Sequence, residues 1–158
     1  MIGRPTIIFL AGPTAAGKTD LAISLVDEFS LGLISVDASQ VYRGLNIGTA
    51  KPAPAVLKKY PHALIDIRDP GEVFSAGAFC KESVQEVRRI AAKRQIPTLV
   101  GGTMFYFAAL TDGLRQLPGA DPKFRQNIEA EAQQLGWQTL HERLVFLDPA
   151  AAQRIHHN

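Results

Sequence analysis

Residues Gly12, Pro13, Thr14, Ala15, Ala16, Gly17, Lys18 and Thr19 read GPTAAGKT and satisfy the pattern G-x-x-x-x-G-K-[ST] in full. In such a loop, consecutive backbone N–H groups turn inward on a phosphate, and the helix that follows aims its positive end at the same point. Gly12 and Gly17 permit the tight turns, Lys18 neutralises the more distal phosphate oxygens, and the Thr19 hydroxyl is placed to ligate Mg²⁺. The pattern implies a polyphosphate with its metal. It leaves open which molecule carries that polyphosphate.

Asp37 directly follows the apolar run LISV, Leu33 to Val36. In an open parallel sheet, ligands sit beyond the carboxyl ends of the strands, so Asp37 should face the crevice of the phosphate loop. A carboxylate there can bind the water shell of Mg²⁺, accept a proton from a nucleophile attacking beside the phosphates, or cap a turn at Ser39 or Gln40. Downstream, Gly44, Gly48, Pro52 and Pro54 rule out one continuous helix, so the segment reads as a loop that shapes a site. Tyr42, Arg43 and Lys51 bring one aromatic group and two cations near the crevice, which together favour recognition of an anion or a base. Gly101, Gly102 and Thr103 end a later strand at the same rim. They form either a tight strand-to-helix turn or a close approach of backbone to ligand, with the Thr103 hydroxyl available for a phosphate or a base.

Positioning these groups requires a particular order of elements. Thr6–Ala11 is a β-branched apolar run between Pro5 and Gly12, a buried strand that feeds the loop. From Lys18, apolar residues Leu21, Ala22, Leu25, Val26 and Phe29 recur at helical spacing, and Gly32 breaks that helix before the strand LISV. Strand, loop, helix and strand within about thirty residues make a parallel βαβ unit. His62–Ile67 is a further strand, and Ser75 opens a helix with Cys80, Val84, Val87 and Ala91 on one face. IPTLVGG is another strand and TMFYFAAL another helix. The alternation predicts an α/β fold with a parallel sheet covered on both faces. After Gly113 the texture changes: RQLPGADP is a linker, and from Asp121 onward everything reads as helix, with Asp121-Pro122 and Asp148-Pro149 as N-cap and first-turn pairs. The expected organisation is an α/β core over 1–113 and the beginning of a helical insert over 114–158. The last pattern stops without a cap, as a fragment of a larger protein would.

A chain of 158 residues that is 46% hydrophobic and 20% charged can bury a real core as one soluble domain. No apolar run approaches bilayer length, and no cleavage site precedes the glycine loop, so a cytosolic protein is expected. Cys80 is the sole cysteine, which excludes an intramolecular disulfide, and it reads as a small buried apolar residue on a helix. A net charge of +2 neither demands nor forbids a nucleic-acid partner.

Taken in order, GPTAAGKT, ISVDASQVYRGLNIGTAKP, PHALIDIRDP, FSAGAF, PTLVGGTMFYF, LPGADP and RIHHN make the whole chain resemble the tRNA dimethylallyltransferase family, also called tRNA isopentenyltransferases. The resemblance implies a P-loop NTPase-like core whose loop, Gly12 to Thr19, receives the pyrophosphate of dimethylallyl diphosphate with Mg²⁺. It further implies transfer of the allyl group to N6 of adenosine 37, in the anticodon loop of tRNA. A monomer is expected. The family's base falls on Asp37, and Asp37, Ala38, Ser39 and Gln40 match positions that contact the target nucleotide. Thr103 and Arg125 match further tRNA contacts. Three departures stand out: Ala16 replaces a common serine, His157 stands where the family usually has proline, and family members are considerably longer. Two other enzyme readings use the same loop and Asp37, namely a small-molecule kinase and an adenylate isopentenyltransferase. A third is a diphosphate-binding copy without turnover.

Overall fold

The computed structural model describes residues 6–114 and 121–156. By its internal contacts the chain divides into two compact units, Met1–Leu114 and Arg115–Asn158. The linker expected over RQLPGADP and the departure at His157 fall largely outside the described residues.

In the first unit four parallel strands form one sheet in the order β1-β4-β2-β3: β1 Ile8–Ala11, β2 Leu31–Val36, β3 His62–Ala63 and β4 Ile96–Gly101. The helices are α1 Lys18–Glu28, α2 Pro54–Lys59, α3 Ala76–Ala92 and α4 Met104–Thr111. Alternation along the strands separates two cores, as the period of two demands. Leu33 and Val100 face Ala22 and Val26 of α1, whereas Ile34, Val36 and Leu99 face Phe79 and Ile90 of α3 and Tyr106 and Phe107 of α4. Both faces of the sheet are thus covered, as the alternating pattern required.

Four expectations change in detail. The run Thr6–Ala11 gives an edge strand rather than a buried one: β1 pairs only with β4 among the described residues, and Ile8 and Phe9 stay more than a third exposed, at 37% and 42%. Gly32 does not end α1. That helix closes at Glu28 with Phe29 already extended, and Gly32 lies inside β2, where a Cβ would meet Ile90 Cγ2 of α3 at 2.5 Å. The strand expected over His62–Ile67 stops after Ala63, because Leu64 and Asp66 adopt left-handed φ of 66° and 55° and turn the chain toward residues 40–43. On α3 the helical period holds but the phase slips: Phe79, Ser83 and Ile90 are buried, Cys80 and Val87 are partly so, and Val84 is exposed. Phe79 sets the phase by stacking on Tyr106 at 4.3 Å between ring centroids. Ser75 opens α3 as expected, its Oγ accepting from Ala78 N–H.

The second unit contains α5 Pro122–Leu135, α6 Trp137–Leu147 and α7 Pro149–Ala152. Asp121 Oδ1 accepts from the N–H groups of Lys123 and Phe124, and Asp148 Oδ1 accepts from Ala151, so both Asp-Pro pairs start helices. Gly136, at φ 81°, makes the corner between α5 and α6. His141 Nε2–H donates to the carbonyls of Ala152 and Ile155 and holds the end of α7 on α6. Phe124, Ile128, Trp137, Leu140 and Leu144 line an apolar groove on this unit.

Candidate active site: a phosphate loop beside a tethered carboxylate

The loop leaves β1 at Ala11 and enters α1 at Lys18 through two left-handed residues, Ala15 at φ 64° and Gly17 at φ 73°. Alternating backbone handedness of this kind turns successive N–H groups inward to make an anion nest. Gly17 is the N-cap of α1 and no side chain caps that helix, so its first-turn N–H groups point at the nest. Lys18 Nζ folds back over the loop and donates to Pro13 O at 2.5 Å, which holds the ammonium above the nest.

These residues form one wall of a cleft of 280 Å³, lined by Thr14 to Asp20, by Ser35, Asp37 and Gln40 from β2 and beyond, and by Ala50, Pro52, His62 and Gly101–Gly102. The phosphate loop and Asp37, singled out separately from the sequence, thus meet in a single cleft. Asp37 Oδ1 accepts from Ser39 N–H at 2.8 Å, Ser39 Oγ–H at 2.6 Å and Gln40 N–H at 3.2 Å. The turn-cap reading of Asp37 therefore describes one of its oxygens. Oδ2 makes no hydrogen bond among the described residues, so the cap aims the carboxylate without using it up.

Gln40 is engaged on every side-chain group. Its Oε1 accepts from Ser35 Oγ–H at 3.0 Å, and its Nε2 donates to Thr49 O and Ala50 O, each at 3.2 Å. Its amide joins β2 to the loop wall. Lys51 and Arg43, expected as cations for an anion or a base, are each claimed by an acid instead, Lys51 in the interior and Arg43 at the surface. Lys51 Nζ, with its side chain only 3% exposed, bonds Asp66 Oδ1, Tyr42 O and Asn46 Oδ1, and Arg43 pairs with Asp69. Charge alone could not foretell this, because the acids that claim them lie on a different stretch of chain.

At the other rim Gly101 lies against β2: a Cβ there would sit 2.0 Å from Val36 O. The close approach read from GGT is therefore made to a neighbouring strand. Thr103 Oγ1 accepts from Ala38 N–H at 3.2 Å, and Thr103 N–H donates to Val36 O at 3.2 Å, so Thr103 fastens the end of β4 to the residue after Asp37. Among the described residues the Thr103 hydroxyl proton has no acceptor. Arg125 belongs to the second unit and is exposed in the first turn of α5.

His62 was not singled out from the sequence. Its Nδ1–H donates to Tyr60 O at 2.7 Å, which leaves Nε2 as a buried acceptor with no partner among the described residues. Burial pushes its pKa below the usual histidine value of 6.5. The only sequence signal was a histidine at the start of a short strand. Tyr106, stacked under the site, has its phenol pKa raised by burial, then by the nearby charges of Tyr42 and Asp37. Among the described residues no cluster of three or more His, Cys, Asp or Glu side chains could hold a metal. No described helix is long and apolar enough to cross a membrane.

The profile of the IPP transferase family matches residues 40–158. Over all 158 residues the chain is 54% identical to a tRNA dimethylallyltransferase of Nitrosococcus oceani and spans 50% of that protein's length. Among solved structures it resembles the full-length tRNA isopentenylpyrophosphate transferase of Bacillus halodurans, with 38% identity, 98% of this chain and 52% of that one covered, and a TM-score of 0.68. It also resembles a eukaryotic dimethylallyltransferase acting on tRNA, at 26% identity over 98% of this chain and 39% of the other, with a TM-score of 0.75. With a cleft that joins phosphate loop to carboxylate, and with these matches along its whole length, the chain belongs to the IPP transferase family.

Proposed function

We propose that this chain carries the donor site and the base of an enzyme that transfers a dimethylallyl group from dimethylallyl diphosphate to N6 of adenosine 37 in the anticodon loop of tRNA. The observation that carries this reading is the shared cleft, with the anion nest of Gly12–Thr19 on one wall and Asp37 on the other. The bond from allyl carbon to diphosphate oxygen breaks, the N6–carbon bond forms, and the N6 proton passes to Asp37. N6 is a poor nucleophile because its lone pair is delocalised into the ring, so a base held beside it lowers the barrier. The leaving pyrophosphate gains charge as it departs, and the loop N–H groups with Lys18 stabilise that charge where it develops. The adenosine must leave its stack to reach a cleft, as base-modifying enzymes require.

The residues suit a Mg²⁺ ion carried chiefly by the diphosphate. Magnesium keeps most of its waters and takes few protein ligands, and the cleft offers a hydroxyl at Thr19 rather than a cage of carboxylates. When bound, the ion would neutralise leaving-group charge. Named relatives that act on tRNA support a polynucleotide acceptor, as does the helical unit that carries Arg125. A monomer working in the cytoplasm completes the proposal.

Transfer of radiolabelled dimethylallyl groups to unmodified tRNA with Mg²⁺, with ATP and AMP as parallel acceptors, tests it. Label should enter tRNA and fall by about 10²–10⁴-fold in Asp37→Ala, the usual contribution of a positioned base. Label in ATP or AMP instead would make the acceptor a free nucleotide. Diphosphate binding without label on any acceptor would leave a donor site alone.

A further inference from the structure

Lys51 presents an energetic puzzle. An ammonium with a side chain 3% exposed has lost its water, and a buried charge is strongly unfavourable unless it is well paired. Its three bonds repay that desolvation while joining separate stretches: Tyr42 O at 2.7 Å, Asn46 Oδ1 at 3.3 Å and Asp66 Oδ1 at 2.6 Å. The stretch it braces has no regular structure between Arg43 and Ala53, and it passes through left-handed residues Gly44, Gly48 and Ala50.

Two of the stretches that Lys51 joins also bond Gln40. The carbonyls of Thr49 and Ala50, immediately before Lys51, accept both bonds of the Gln40 amide nitrogen. Asp66, the partner of Lys51, donates its own N–H to Gln40 O at 3.2 Å. Gln40 is thus held through its side chain by the two residues just before Lys51 and through its backbone by Asp66, the acid that pairs with Lys51. Its N–H in turn is one of the three donors that hold Asp37 Oδ1.

We propose that Lys51 is a positioning residue for the reaction: it fixes the loop wall so that Gln40 holds the Asp37 carboxylate in its working orientation. The inference rests on the reading of Asp37 as base. A misplacement of about 1 Å at a reacting group costs on the order of 10²-fold in rate, so a relay of hydrogen bonds that removes such slack is worth a buried charge. Diphosphate binding belongs to the opposite wall and should be spared.

The test uses the full-length polypeptide with Lys51→Met, Gln40→Met and the double variant. Each single change should lower kcat by about 10–100-fold and leave KM for dimethylallyl diphosphate within about threefold. The double variant should be no slower than the worse single one, because both act through one relay. Independently of activity, the Gln40 side-chain amide protons should be protected from exchange in the parent and lose protection in Lys51→Met, read by ¹⁵N NMR. Gln40→Met keeps the test alive if Lys51→Met fails to fold. Additive losses, a rise in KM that accounts for the whole effect, or an amide still protected in Lys51→Met would overturn the proposal. If the parent transfers nothing, the functional reading fails, and amide protection alone decides whether Lys51 governs Gln40.

Discussion

The two walls of the cleft satisfy their polar groups in opposite ways. On the phosphate-loop wall, α1 begins without a side-chain cap, and Ala15 accepts a left-handed φ that opens its neighbours' N–H groups. On the carboxylate wall nearly every donor and acceptor is spoken for, from the capped Oδ1 of Asp37 to the fully bonded Gln40 amide and the buried Lys51. On the proposed function, the difference follows from what each wall would meet. A diphosphate brings a dense set of acceptors, so open N–H groups gain their partners on binding. A base must be aimed before its substrate arrives, because orientation gained beforehand is not lost from the rate.

The first way to break this contrast is to separate the walls. Gly101→Ala drives a methyl group against Val36 O, a backbone atom that cannot step aside, right below Asp37. Stability should fall by about 3 kcal/mol, the upper end for overpacking, in urea unfolding. A variant as stable as the parent would mean that β2 and β4 move apart at the rim at little cost.

Sharpening the contrast comes next, on the open wall. Lys18→Ala should weaken binding of inorganic pyrophosphate by about 10–100-fold, since charge-assisted bonds contribute roughly 1.5–3 kcal/mol each. Its melting temperature should hardly change, because the ammonium's only bond among the described residues is a local one to Pro13 O. Titration calorimetry and thermal melts report the two quantities separately.

The smallest effect lies between the walls, at His62. Its folded pKa lies below the unfolded value, so the unfolded chain binds more protons in the window just under 6.5. The stability linked to His62 is therefore complete above pH 6.5 and declines as pH drops below it, by at most about 1.4 kcal/mol per unit. Urea midpoints between pH 7.5 and 5 should show a shallower acid loss in His62→Gln than in the parent. Equal slopes would remove His62 as a source of acid sensitivity.

Local patterns in the sequence carried a large part of this molecule. The phosphate loop is readable because its chemistry depends on backbone turns and one helix terminus, all within consecutive residues from Gly12 to Thr19. The caps at Ser75, Asp121 and Asp148 are readable for the same reason, since each partner lies two or three residues away. Periodicity predicted the helices and the parallel sheet, and the placement of Asp37 at a strand end followed from the rule for open sheets.

Long-range contacts decided the rest. Lys51 and Arg43 looked like site cations until Asp66 and Asp69 claimed them, and no local pattern joins residues so far apart in sequence. Gly32 looked like a breaker and Gly101 like a turn or an approach to ligand, yet each is small because another element presses on it, Ile90 in one case and the Val36 backbone in the other. The phase of α3, the early end of β3 and the acceptor left on His62 likewise depend on which surfaces meet. Sequence specifies what a residue can do within a few positions along the chain. Only the fold determines which of those capacities its neighbours have already used.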